Sequence, residues 1–211
     1  MSVGSFGCDL RCPFCQGHEI PMAGEGKLET VELSPEALAD KALELRATSE
    51  RPTLTTSRWW AMSTSGTALS CSVSGGCSTS WSPTAPSKRP PWRELLPLID
   101  AANIDLKGFT PEWYKRLGGD LETVKRFVTL AAGQCHVEVT TLLVPGEDDS
   151  VEGINALAQW LASVDRDIPL HLSRSFPRYR MMDRPPTPVE RVYQLTDAAR
   201  EYLTFVYTGN C

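Results

Sequence analysis

The chain has 211 residues, enough for one domain with a sizeable core. Its formal net charge of −5 argues against nucleic acid or an anionic membrane as an obligate partner. No apolar run reaches the ~18 residues of a membrane span, no charged-then-apolar leader is present, and seven cysteines, three of them clustered, suit a reducing cytosol better than a disulfide framework.

Residues 1–6 read as a β-strand that delivers Cys8. The loop that follows, Gly7-Cys8-Asp9-Leu10-Arg11-Cys12-Pro13-Phe14-Cys15, sets three cysteines at C-x3-C-x2-C spacing, with an aromatic just before the third. A short loop of that spacing can turn three thiolates towards one point, where they can hold three irons of a 4Fe–4S cluster. The fourth iron then has no protein ligand and stays open to a small molecule. Zinc is the rival metal, but a structural zinc site closes all four positions, and no second cysteine pair stands nearby. His18 is the only close candidate for a fourth ligand. His18 and Glu19 otherwise read as solvated residues of the connector 16–27.

Ser34 is an N-cap with Pro35 in the first turn, and Leu38, Ala42 and Leu45 recur at helical spacing. From 47 to 91 the character changes. The stretch is rich in Ser, Thr and Pro, carries Trp59, Trp60, Trp81, Cys71 and Cys77, and keeps no period of 2 or 3.6. A structureless run of that length inside a compact domain contradicts a simple linker reading, and tryptophans are poor linker material.

Order returns at Trp92. A short helix is expected over 93–99, a buried strand over 101–106, and helices over 111–117 and 121–132. A β-branched strand over 136–144 is followed by a helix over 151–164, a strand over 168–173, a helix over 188–202 and a last strand over 204–208. Strands alternating with helices predict a parallel sheet built from βαβ units. In such folds the working residues sit beyond the C-terminal strand ends. The cysteine loop, Asp105-Leu106-Lys107, Val144-Pro145-Gly146 and residues 171–174 all stand at or beside such ends. A Lys107 ammonium there suits a carboxylate or ribose oxygen, with Asp105 holding it in place; an ordinary surface ion pair is the plainer reading. His171 is either a satisfied core histidine or a ligand-facing one. Arg174, Arg178, Tyr179 and Arg180 form a basic, aromatic loop that suits an acidic partner or plain solvent.

With its C-x3-C-x2-C loop and Phe14, the chain resembles the radical S-adenosylmethionine (radical SAM) enzymes, through residues 2–20 and again from 92 onward. Within them it is most similar to the pyruvate formate-lyase activating enzyme-like branch. The resemblance implies an incomplete parallel (β/α) barrel, open on one side, in a single domain over 1–211. It implies that Cys8, Cys12 and Cys15 hold a 4Fe–4S cluster whose open iron chelates the methionine of S-adenosylmethionine. Reductive cleavage would yield a 5′-deoxyadenosyl radical that takes hydrogen from a substrate, such as a glycine in a partner enzyme. Phe14 would pack near the adenine, Asp105 and Lys107 match an Asp-x-Lys motif that contacts the cofactor, and His171 would reach its ribose. The implied partners are an electron donor such as flavodoxin or ferredoxin and a protein substrate. Within enzymes the alternative is a radical SAM catalyst on another substrate; outside them, a non-catalytic metal-binding module or a defective gene product.

Two departures stand out. Members of this branch carry further sequence before the first strand, which implies an N-terminal truncation or a misplaced start. They also carry Tyr-Asn-Glu-Pro after the second strand and Thr-Asn-Gly after the third; neither occurs here, and both would fall within 47–91. A choice of synonymous codons exists for which the neighbouring frame of 47–91 reads through YTYNEP and VTNG. One G lost after the Leu45 codon and one C gained in the run encoding Arg89-Pro90-Pro91 would produce the stretch as written. The expectations are therefore that 47–91 is out of frame, that two strands of the sheet have no sequence to form them, and that the chain as written is a poor catalyst.

Overall fold

The structure is a computed structural model and describes residues 2–4, 8, 10–19, 31, 34–46, 53–57, 78–82 and 96–211. Strands β1 (Ser2–Gly4), β2 (Thr53–Ser57), β3 (Ser78–Ser82), β4 (Ala101–Asp105), β5 (His136–Leu143), β6 (Leu170–Arg174) and β7 (Val206–Gly209) form one sheet in chain order. Every pairing is parallel. Chain-ordered parallel strands are what successive right-handed crossovers produce. Among the described residues β1 and β7 do not pair, so the sheet is an incomplete (β/α) barrel, open on one side.

The helices are α1 (Pro35–Arg46), α2 (Pro111–Arg116), α3 (Leu121–Ala132), α4 (Val151–Val164) and α5 (Val189–Arg200). Four begin at side-chain caps, of which Ser34 was read from the sequence: Ser34, Thr110, Asp120 and Ser150 each accept the N–H three residues on, at 3.1, 3.3, 2.9 and 3.0 Å. The stripe Val124, Phe127, Val128 and Ala131 of α3 and the stripe Ile154, Leu157 and Leu161 of α4 are buried. They join Ile104, Val137, Val139, Leu170 and Leu172 in the main core. Burial alternates along β5, so Val137, Val139, Thr141 and Leu143 are buried while Glu138, Thr140 and Leu142 are half-buried. The half-buried row lines the inside of the open barrel.

Two expectations change. Residues 47–91 do contribute strands: β2 and β3 lie between β1 and β4, with Thr53 to Ser57 in register against Ser78 to Ser82. Ladder hydrogen bonds belong to the backbone, and threonine favours extended conformations, so a sequence without an apolar alternation still pairs. Trp59, Trp60, Cys71 and Cys77 lie outside the described residues. Of the helix expected over 93–99, residues 93–95 lie outside the described residues and Leu96–Leu98 form a 3₁₀ turn. Pro97 has no N–H to give and clashes with the preceding turn, which stops an α-helix there. Leu96 and Ile99 are nonetheless buried as their spacing implied.

Candidate functional site

A second, smaller apolar cluster seats the cysteine loop. Leu10, Cys12 and Phe14 pack with Trp113 and Leu117 of the α2 region, Val144 beyond β5, and Met181. The backbone fixes the loop from two sides: Arg11 N–H donates to the Leu117 carbonyl at 2.8 Å, and the Pro13 carbonyl accepts from Arg180 N–H at 2.9 Å. Phe14 is 4% exposed and stacks on Trp113 with ring centroids 5.7 Å apart.

A cavity of about 310 Å³ lies between this loop and the C-terminal ends of the strands. Cys8, Cys12 and Cys15 all line it, and none is in a disulfide. Asp105 and Lys107 line it from the end of β4, Thr140 and Leu142 from β5, Ser173 from β6 and Asn210 from beyond β7. Thr140 and Ser173 were legible as inward positions from strand alternation but were not singled out in the sequence.

Lys107 Nζ sits 3.0 Å from Asp105 Oδ1, with the two side chains 15% and 27% exposed. Burial opposes the ammonium charge, but the carboxylate of Asp105, then the Cys12 and Cys15 sulfurs, outweigh it and hold the Lys107 pKa above its ordinary value. Burial pushes the Cys12 thiol up to about 12, with the Lys107 ammonium working against it. The Lys107 backbone is held on both sides by α2, a bracing that leaves no local signal in the sequence. Its N–H donates to Tyr114 Oη at 2.9 Å, and its carbonyl accepts from Trp113 Nε1 at 2.5 Å. Gly108 follows at φ +128°, a value that L side chains rarely adopt, close under Trp113 and Asp148. Asp148 accepts the Val144 N–H at 2.6 Å through Oδ1, while its buried Oδ2 has no hydrogen-bond partner among the described residues. Burial, opposed by that hydrogen bond, sets its carboxyl well above the usual range.

His171 stands elsewhere on the inner face. Its Nε2 lies 2.9 Å from Glu138 Oε2, its ring stacks on Tyr207 at 5.4 Å, and it does not line the cavity. Glu138 also faces His136 at 3.4 Å. Burial would raise the Glu138 pKa, but the hydrogen bonds from His136 and His171 bring it below its ordinary value.

The donor set tests the cofactor. Three cysteines and a lysine lining one cavity, with no fourth cysteine among the described residues that line it, fit a cluster with one open iron. As placed, no group of three His, Cys, Asp or Glu among the described residues is drawn into metal-holding geometry.

No protein-family model matches the chain. One curated relative, the uncharacterized protein MJ0808 of Methanocaldococcus jannaschii, is 29% identical over 213 residues, covering all of this chain and 63% of that protein. The chain therefore spans just under two thirds of the relative's length. Among solved structures, SuiB of Streptococcus suis covers the whole chain and 49% of its own length, with a TM-score of 0.74 at 11% identity. SuiB has also been solved bound to S-adenosylmethionine. A radical S-adenosylmethionine methyltransferase, TsrM of Kitasatospora setae, covers 85% of the chain and 38% of its own, with a TM-score of 0.60 at 16% identity. The fold is that of the radical SAM enzymes. A domain of a pyruvate-formate lyase-activating enzyme from Bacteroides vulgatus shares the fold too, covering 73% of this chain and 98% of its own, with a TM-score of 0.59 at 15% identity.

Proposed function

We propose that the chain is a radical SAM iron–sulfur protein of the glycyl-radical activating type, with Cys8, Cys12 and Cys15 as the cluster ligands. The observation that carries this reading is the meeting of Cys8, Cys12 and Cys15 with the Asp105–Lys107 pair on one cavity at the strand ends. When bound, a 4Fe–4S cluster and S-adenosylmethionine would supply the electron and the radical chemistry. The protein's share is binding and orientation. Lys107, its charge sustained by Asp105, offers the cofactor carboxylate a partly desolvated cation. Phe14 offers the adenine an apolar wall, and Thr140, Ser173 and Asn210 offer hydroxyl and amide groups across the cavity. For His171 to reach a ribose, its imidazole would have to leave Glu138.

SuiB has been solved with its precursor peptide SuiA, which supports a polypeptide as the hydrogen donor here. A radical SAM catalyst on another substrate is the second reading, supported by the TsrM likeness, since that structure holds tryptophan. The missing Tyr-Asn-Glu-Pro segment leaves the cofactor amino group without its expected acidic anchor, so slow cofactor cleavage is proposed for the chain as written. The out-of-frame origin of 47–91 remains the proposed cause, and resequencing the locus decides it: an unbroken gene encoding the stretch as written rules out a sequencing error.

Anaerobic reconstitution tests the site. The expected result is about four irons per chain, a spectrum that changes on adding S-adenosylmethionine, and loss of both in Cys12→Ala. Stoichiometric zinc with no iron uptake would overturn the proposal.

A further inference from the structure

The cofactor cavity covers only part of the inner wall. Asp105, Thr140, His171 and Tyr207 stand side by side in register across β4, β5, β6 and β7. Asp105 and Thr140 line the cavity, while His171 and Tyr207 continue the same row towards β7 and do not line it. One step below, Asn103 and Glu138 are paired in register on β4 and β5, on the same half-buried inner face. Glu138 is two residues from Thr140, about 7 Å along the strand.

Glu138 is the centre of this polar patch. Its Oε2 lies 2.9 Å from His171 Nε2 and accepts from Asn103 Nδ2 at 3.4 Å, and its Oε1 lies 3.4 Å from His136 Nε2. Asn103 Oδ1 in turn accepts from Thr140 Oγ1 at 2.9 Å, which joins the patch to the cavity. Asp105 is matched by Lys107, and Glu147 by Arg116 and Arg184. Among the described residues no lysine or arginine pairs with Glu138, whose side chain is 34% exposed. Burial works against its charge, but the hydrogen bonds from His136 and His171 outweigh burial, so the group is ionised at neutral pH. An ionised carboxylate offers about four acceptor positions, and Oε1 has only the long contact to His136. Nearby, the Tyr207 ring stacks on His171 at 5.4 Å and is 48% exposed.

We propose that Glu138, with the Tyr207 ring near it, is a subsite for an organic cation, the guanidinium or ammonium group of the substrate. The proposal rests on the cofactor reading above, because it makes the patch the floor beneath a radical SAM cavity. A carboxylate with an open acceptor takes an N–H cation through a charge-assisted hydrogen bond, and an aromatic face adds a cation–π contact. The arrangement orients the ligand. Its cation rests at Glu138, and atoms about 7 Å further up the strand reach Thr140 at the cofactor cavity. No bond forms or breaks at this subsite. A basic side chain of a polypeptide and a free amine present the same chemistry.

The test uses the full chain, unloaded and reconstituted. Ligand-observed NMR titrations compare butylguanidine and butylamine with neutral butylurea, and acetyl-Gly-Arg-Gly-amide with its citrulline counterpart. The cations should bind at least about tenfold tighter than their neutral counterparts. Glu138→Gln should bring that ratio below about twofold, and Tyr207→Leu should weaken cation binding about threefold. Glu152→Gln removes an exposed charge on α4 and should leave the ratio intact. In the reconstituted chain the reduced, paramagnetic cluster should broaden the lines of bound butylguanidine. Far-UV circular dichroism confirms that each variant is folded, and the comparison of charged with neutral ligands needs no substitution at all. Tighter binding of the peptide identifies a polypeptide source and tighter binding of the small cations a free amine; either supports the subsite. Equal affinity for charged and neutral ligands, or a preference that survives Glu138→Gln, would overturn it. Binding without line broadening would overturn its place beside the cavity. Failure to load any cluster would overturn the cofactor reading instead, and titration of the unloaded chain would still decide the cation subsite.

Discussion

Tyr114→Phe removes one oxygen from a fully buried ring and tests whether α2 braces the candidate site. Tyr114 is 0% exposed, and its Oη accepts the Lys107 N–H at 2.9 Å. Phenylalanine keeps the ring's place in the main core and strands the N–H. A stranded buried donor costs about 1–3 kcal/mol, more than the ~1 kcal/mol net of an ordinary hydrogen bond. The middle of that range, about 2 kcal/mol, corresponds to a melting shift of roughly 4–8 °C for a chain of this size. The functional cost falls on the Lys107 ammonium, whose peptide would then be held by Trp113 Nε1 alone. S-adenosylmethionine affinity of the reconstituted chain should fall several-fold with iron content unchanged, because no cysteine ligand is touched. Urea denaturation followed by circular dichroism measures the first effect and spectral titration the second. A stability loss under 0.5 kcal/mol together with unchanged affinity would refute the brace.

Three further substitutions have definite expected outcomes. Asp148→Asn should gain stability relative to the unmodified chain as pH rises. The Asp148 carboxyl titrates well above 3.8 when folded, so its contribution is fully present below its unfolded pKa and is lost as pH climbs through the folded value. The difference should grow by up to about 1.4 kcal/mol per pH unit in that window, and parallel stability curves from pH 4 upward would contradict it. Gly108→Ala should cost about 2 kcal/mol or more, since φ is +128° and an added Cβ would lie 2.5 Å from Trp113 Cδ1. Gly17→Ala, with nothing within 4 Å of the added carbon, should be close to neutral by the same denaturation assay.

The cysteine loop was legible as a candidate site because its pattern is encoded locally: a C-x3-C-x2-C spacing with Phe14 needs only eight consecutive residues. Helices α3 and α4 were legible to the residue because their apolar stripes recur at helical spacing, from Val124 through Ala131 and from Ile154 through Leu161. Asp105 and Lys107 were found because a strand end is a sequence event. Strand formation at Thr53–Ser57 and Ser78–Ser82 was not legible, because it depends on neighbours that supply the backbone ladder and leaves no apolar period behind. Nor could the sequence bring Trp113 and Tyr114 to the Lys107 peptide, or Arg180 to Pro13 across more than 160 intervening residues. Those contacts exist only once the parallel sheet has set the strand ends side by side. Local spacing determined which atoms could do the chemistry; the tertiary fold decided which side chains hold them and which face they leave open, because both depend on distances that the chain closes only on folding.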